Sequence, residues 1–398
     1  MAEARWSATP LVDWLLRKGR MLGKPDALVR ELCERLRALG MPLDRVGFFF
    51  WTLHPQYGGV AMFWDGHLVQ VVRGGRDVRS SKQYLDSPIA RIAAGERVIR
   101  RRVERPDCPM DFPLLAELKA EGVTDYVMVE VVFSNGRRNA VSLATRRAGG
   151  FGLHDIAEVQ RLLHPFALVM ETFIVRETAR TLLATYLGRA SGARVLEGQI
   201  ARGDGAEIDA VIWFSDLRES TALAARLGER GYLELLNEYF ECTAGAVLAH
   251  GGEVLRFIGD ASLAVFALGS GPPAAVRREA CERAIAVARE ARARTKSANA
   301  RRAAAGLAGF EFGVALHLGR VLYGNIGTAE RLEFSVIGAA ANETARIETL
   351  SKVTGHDVVV SSDVHAALGA RWPSLGSFEL PGVGRPIEVY ALPEDGPG

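Results

Sequence analysis

The stretch Gly252-Glu-Val-Leu-Arg-Phe-Ile-Gly-Asp-Ala-Ser-Leu-Ala-Val-Phe266 constrains the chain most. Two β-rich runs meet at Gly259-Asp260, and a Gly-Asp pair between apolar runs marks a hairpin, which places Asp260 at the tip. Around this hairpin, strand and helix patterns alternate. The apolar run Ile208 to Phe214 reads as a strand, a helix starts near Ser220, and another covers Arg277 to Thr295. Strands follow at Phe310 to Leu316 and Phe334 to Ile337, then a helix from Ala341 to Leu350. The segments have no regular repeat length, so a solenoid is excluded and an α/β sandwich is expected.

The first 160 residues read as a separate α+β domain. Leu28, Leu32, Leu36 and Leu39 recur at helical spacing between charges. Arg45 to Leu53 is rich in Phe, Val and Trp and reads as a strand. Ser134-Asn135-Gly136-Arg137 joins Tyr126–Phe133 to Ala140–Thr145 as a hairpin, because Asn and Gly tolerate positive φ. After Gly149-Gly150 a long helix is expected over Leu153 to Leu187, with a possible kink at Pro165. Glycines at 188, 192, 198, 203 and 205 argue that regular helix does not continue unbroken to the next strand. The expected division is therefore 1–160, a helical linker 161–204, a second domain 205–391 and a tail 392–398.

Composition limits the function classes. At 48% hydrophobic and 24% charged the chain is of the globular class, and 49 basic against 47 acidic residues give no global attraction to nucleic acid. Cys33, Cys108, Cys242 and Cys281 lack CxxC spacing, which argues against a disulfide framework or a zinc site. There is no basic-then-apolar signal pattern and no run of about 18 apolar residues to span a bilayer, so a cytoplasmic protein is expected.

Two carboxylates stand out. Ala210-Val-Ile-Trp-Phe-Ser-Asp216 delivers Asp216 to a strand end, where the carboxylate escapes the core. With Asp260 at a neighbouring tip, the two could share a pair of Mg²⁺ ions, which bind through one or two carboxylates plus substrate phosphates. Such a pair serves in-line displacement at phosphorus. Each Asp alone also reads as a helix N-cap or a turn residue. Asn342 and Arg346, four apart, share a helix face, and Arg346 could stabilise charge on a pentavalent phosphorus while Asn342 orients a ribose.

In this order and spacing, FSDLREST, GGEVLRFIGDASLAVF and FSVIGAAANETARIE resemble the class III adenylate and guanylate cyclases over about 185 residues. The resemblance implies a ferredoxin-like α/β catalytic domain that dimerises head to tail, with each active site built across the interface. It implies metal ligation of two Mg²⁺ (or Mn²⁺) by Asp216, Asp260 and the backbone carbonyl of Leu217 in one subunit. Asn342 and Arg346 would come from the other. It also implies base contacts at Arg256 and Ser335. Ser335 leans to ATP, while Arg256 matches neither the Lys of adenylate cyclases nor the Glu of guanylate cyclases, and its planar fork differs from Lys. Pro381 stands where relatives often carry a basic residue for phosphate, leaving Arg331 and Arg385 as candidates. Three functions stay open: adenylate cyclase, guanylate cyclase, or an inactive cyclase-like module.

The order of elements in the first domain looks like a GAF-type sensor, which implies an unknown small ligand or signal acting through the long helix. His54, Cys108 and His154 have no spacing that selects a ligand and read as ordinary structure.

Overall fold

The structure is a computed structural model that describes residues 6–394; the first five residues of the N-terminal segment and residues 395–398 of the tail lie outside it. The chain divides into two compact units, Met1–Leu182 and Leu183–Gly398. Both are α+β.

In the first unit, β1 (Arg45–Trp51), β2 (Tyr57–Trp64), β3 (Val69–Gly75), β4 (Val98–Arg101), β5 (Asp125–Val132) and β6 (Arg138–Thr145) form one sheet in the order β3-β2-β1-β6-β5-β4. Strand side chains alternate between faces. Phe48, Phe50, Trp64, Val127, Val129 and Leu143 therefore face one core with Leu28, Leu32 and Phe166, whose helices Pro25–Ala38 and Leu153–Leu187 cover that side. The opposite face carries Tyr126, Met128, Ala140 and Ala144 against Ile92, Leu115 and Leu118 from helices Pro88–Ala94 and Pro113–Ala120. The helix Leu153–Leu187 keeps Pro165 inside it without ending there.

In the second unit the helix stops at Leu187, Gly188 takes φ +92°, and a short helix resumes over Arg189–Leu196. Ser191 ties it down by donating from its backbone N–H and its hydroxyl to Glu253 Oε1, at 2.8 and 2.6 Å. Then follow β7 (Gly205–Leu217), helix Ser220–Cys242, β8 (Glu253–Ile258), β9 (Ala261–Gly269), helix Ala274–Ala304 and β10 (Phe312–Gly327). These four strands are antiparallel in the order β10-β7-β9-β8, the ferredoxin-like βαββαβ arrangement. Beyond them, β11 (Leu332–Ile337) pairs with β10. Helix Ala339–Thr354 then leads to β12 (Val358–Ser361), parallel to β10, and β13 (Ser374–Phe378) and β14 (Ile387–Ala391) complete the sheet.

β10 is much longer than the expected strand Phe310 to Leu316. It continues through Gly319 and Gly324 because it pairs with β7 as far as Gly324↔Gly205. A side chain at 324 would bring its Cβ to 2.2 Å from the Asp204 carbonyl oxygen, so glycine is what lets the backbones approach.

Candidate active site

Strand parity decides where Asp216 points. Along β7, Val211, Trp213 and Leu217 enter the core beneath helices Ser220–Cys242 and Ala274–Ala304, while Ile208, Ala210 and Ile212 pack on the other face with Ala340. Asp216 shares the parity of Ile212 and so lies on the side of helix Ala339–Thr354. It is held there by Lys352, whose ammonium donates to Asp216 Oδ2 at 2.9 Å and whose pKa is raised chiefly by that hydrogen bond. Opposite Asp216 in register is Gly313; a Cβ there would meet Glu348 Oε1 at 2.3 Å. The Glu348 carboxyl packs into that gap, and burial raises its pKa.

Asp260 reaches the same end. β7 and β9 pair through Ser215↔Ser262, whose hydroxyls are 2.8 Å apart, so Asp216 is one residue beyond the pair and Asp260 two residues before it. The tip Gly259-Asp260 closes between the paired Ile258 and Ala261, with Gly259 at φ +64°. Tyr232 feels both carboxylates: burial, then Asp260 and, more weakly, Asp216 push its hydroxyl pKa up. Just past Leu217 the chain turns sharply into its helix at Glu219, at φ +54° the only non-glycine residue of positive φ among those described. Left-handed backbone at a residue with a Cβ costs energy and concentrates at functional sites. Among the described residues no cluster of three or more His, Cys, Asp or Glu is placed to hold a metal ion. The donor set is two hard carboxylates at an open strand end, and it fits a hard divalent cation that takes its remaining ligands from water and phosphate.

Asn342 and Arg346 lie exposed on helix Ala339–Thr354, and no protein group pairs with the Arg346 guanidinium among the described residues. Within one chain they do not join the carboxylates. Lys352 meets Asp216, while Arg346 is six residues back, about 9 Å along the axis at 1.5 Å per residue.

Arg256 and Ser335 lie on β8 and β11. Arg256 Nη2 donates to Glu333 Oε2 at 2.6 Å, and its Nε is buried without a partner. Glu333 and Ser335 are two apart on one strand and share a face. The Ser335 hydroxyl is buried and also lacks a partner. Arg331 is exposed in the turn between β10 and β11, where its backbone N–H donates to Thr328 Oγ1 at 3.1 Å. Arg385 is not free: it lies 3.5 Å from Glu343, the neighbour of Asn342. Sequence reasoning passed over Lys352, Glu333 and Glu343. Only Glu333 left a signal, its two-residue offset from Ser335. In the first unit, His54 stacks on Tyr57, His154 bonds to the Trp6 carbonyl oxygen, and Cys108 lies 3.7 Å from the Pro109 carbonyl oxygen.

Residues 206–393 match the family model described as adenylate and guanylate cyclase catalytic domain. The chain is 29% identical to adenylate cyclase 1 of Rhizobium meliloti over 183 residues, 45% of this chain and 26% of that protein. It is 30% identical to an uncharacterized protein of Mycobacterium tuberculosis over 246 residues, 61% of this chain and 41% of that one. The chain thus spans well under half the length of these curated relatives. Among solved structures, a guanylyl cyclase is 28% identical with a TM-score of 0.41, covering 47% of this chain and 92% of its own. A bacterial light-regulated adenylyl cyclase is 18% identical with a TM-score of 0.49, covering 67% and 85%.

Proposed function

We propose that the chain is an adenylate cyclase that converts ATP to 3′,5′-cyclic AMP and pyrophosphate as a head-to-tail homodimer in the cytoplasm. The observation that carries this reading is the delivery of Asp216 and Asp260 to the same end of two hydrogen-bonded strands. Mg²⁺ or Mn²⁺ bound there supplies Lewis acidity toward the ribose 3′-hydroxyl and the triphosphate. Asp216, Asp260 and the Leu217 carbonyl are the donors this chain offers. Asn342 orients the ribose and Arg346 stabilises charge at phosphorus from the partner subunit. Their exposure, and their distance along the helix from the Lys352 that meets Asp216, support a site completed by a second copy. Arg331, exposed at a turn, is the better candidate for a phosphate contact, since Arg385 is already paired with Glu343.

Arg256 and Ser335 read the base. The unpartnered Ser335 hydroxyl can accept from the exocyclic amine of adenine. A second reading, GTP to cyclic GMP, is favoured by Arg256 itself, because a guanidinium matches the N7 and O6 acceptors of guanine. Residues 1–160 act as a GAF-like sensor and 161–204 as the segment that transmits its state to the catalytic residues 205–391. A site shared between subunits responds to small interface shifts. No helix of the described residues is long and apolar enough to cross a membrane.

The test incubates purified protein with Mg²⁺ or Mn²⁺ and with ATP or GTP separately, and separates the products by chromatography. Cyclic AMP from ATP is the expected result. Cyclic GMP alone selects the second reading, and no cyclic product with either metal sinks the enzyme.

A further inference from the structure

Arg256 on β8 and Ser335 on β11 are assigned to the base, yet these strands are not neighbours: β8 pairs with β9, and β11 pairs with β10. Their spacing is therefore set by side chains. One link is the ion pair of Arg256 with Glu333. The other lies at the start of β8, and its centre is Glu253.

A β-bulge decides where Glu253 points. Glu253 and Arg256 are three apart, an offset that puts side chains on opposite faces of a regular strand. The register shifts between Val254 and Arg256, so Leu255 is an extra residue. Glu253 then stands opposite Val265 and Arg256 opposite Leu263, and both of those belong to the face that packs with Ala340. Glu253 and Arg256 thus share that face.

There the Glu253 carboxylate closes a ring of hydrogen bonds. Oε1 accepts from the backbone N–H and the hydroxyl of Ser191, and Oε2 accepts from the Tyr323 hydroxyl on β10. The Ser191 and Tyr323 hydroxyls are 3.2 Å apart, and both residues are buried. Burial, and then the bond to Glu253, raise the Tyr323 pKa, so its hydroxyl stays a donor. Tyr323 meets Phe334, the neighbour of Ser335, edge to face at 4.7 Å. The Arg194 guanidinium lies 4.7 Å from the centre of the Tyr323 ring and 5.9 Å from that of Phe334. β8, β10, β11 and the helix Arg189–Leu196 are therefore held together around one carboxylate, by charge-assisted bonds of the stronger kind.

We propose that Glu253 is a positioning residue for the nucleotide base: with Ser191 and Tyr323 it fixes β8 against β10 and β11, and so holds Arg256 at the distance from Ser335 at which one purine is preferred to the other. This rests on the assignment of Arg256 and Ser335 to the base. Purines differ in a few edge atoms, and hydrogen bonds are directional, so a small shift of the donors loses the discrimination. Glu253 acts through Arg256 and makes no bond to the nucleotide itself.

The experiment measures dissociation constants of the full chain for 3′-deoxy-ATP and 3′-deoxy-GTP with Mn²⁺ by equilibrium dialysis. Neither analogue has the hydroxyl that cyclises, so binding is read without turnover. The parent prefers one of the two. Ser191→Ala, Tyr323→Phe and Glu253→Met each move the ratio of the constants toward one, by about three- to tenfold, the worth of one net hydrogen bond. Arg189→Ala, exposed on the same short helix and outside the ring, leaves the ratio as it is. A role confined to stability would lower the melting temperature and the number of competent sites without changing that ratio, and melting curves are taken for each variant. An unchanged ratio in folded Ser191→Ala and Tyr323→Phe overturns the proposal, as does a parent with no preference. Failure of the cyclase reading is distinguishable: the parent then makes no cyclic product from ATP or GTP, while the shift in binding preference still decides the role of Glu253.

Discussion

The Lys352 ammonium donates to Asp216 Oδ2 at 2.9 Å, so the chain places its own cation against a carboxylate proposed to hold a metal. Lysine side chain and divalent ion compete for the same oxygen. Lys352 is 48% exposed, and a pair so open to solvent is worth at most about 1 kcal/mol. Lys352→Met should therefore lower the Mn²⁺ concentration for half-saturation by up to about fivefold, read by electron paramagnetic resonance titration of the full chain. A shift to higher Mn²⁺ would mean that Lys352 assists the site.

Complementation tests whether the site is shared. Asp260→Ala and Arg346→Ala should each lower activity by at least about 100-fold, the scale for removing a group that stabilises developing charge. Mixed, they form heterodimers in which one of the two sites keeps both an intact Asp260 and an intact Arg346. Activity should return to about a quarter of the parent's under random pairing, since half the dimers carry one good site of two. Heterodimers that form and stay inactive would refute the shared site.

Selectivity should turn on the pair Arg256–Glu333. Glu333 engages one end of the guanidinium at 2.6 Å and so withholds part of its fork from a ligand. Glu333→Ala releases it and should move the ratio of kcat/KM for ATP over GTP toward GTP, by at least about fivefold, since a bidentate contact of Arg to guanine is worth ~1–3 kcal/mol. Arg256→Lys removes the fork and should move the ratio the other way. A ratio unchanged in both variants would show that Arg256 does not touch the base.

The elements were legible where local chemistry is decisive. Asn135-Gly136 and Gly259-Asp260 each join two strands, and the helix over Leu153–Leu187 has the bounds its pattern indicates. The face that Asp216 takes was not legible, because Ala210 to Phe214 is apolar throughout and β7 is buried on both sides. The length of β10 beyond Leu316 was not legible, because only the pairing with β7 shows why Gly319 and Gly324 sit within a strand. Nor were the partners of the site. Lys352 meets Asp216 across 136 residues, and Arg256 meets Glu333 across 77, through contacts that depend on how the helix and β11 pack. The turn at Glu219 carries no local mark, since a left-handed glutamate is imposed by the strand before it and the helix after it.

Stability should depend on pH through His317. The ring is buried on β10, with Nδ1 2.9 Å from Ser361 Oγ on β12. Burial lowers its pKa from 6.5, opposed by the negative charges of Asp363 and Glu343 and reinforced by Arg385. A base whose pKa is depressed by folding binds its proton more readily when unfolded. Its contribution is therefore complete above about pH 6.5 and is lost as the pH falls from there through the folded value. The melting temperature of the parent should fall over that acidic window. His317→Gln, which keeps a polar group near Ser361 but cannot take a charge, should melt lower than the parent at pH 8 and show a shallower decline below pH 6.5. Thermal melts followed by circular dichroism at half-unit pH steps read both, and parallel curves for the two proteins would show that His317 does not carry the pH dependence.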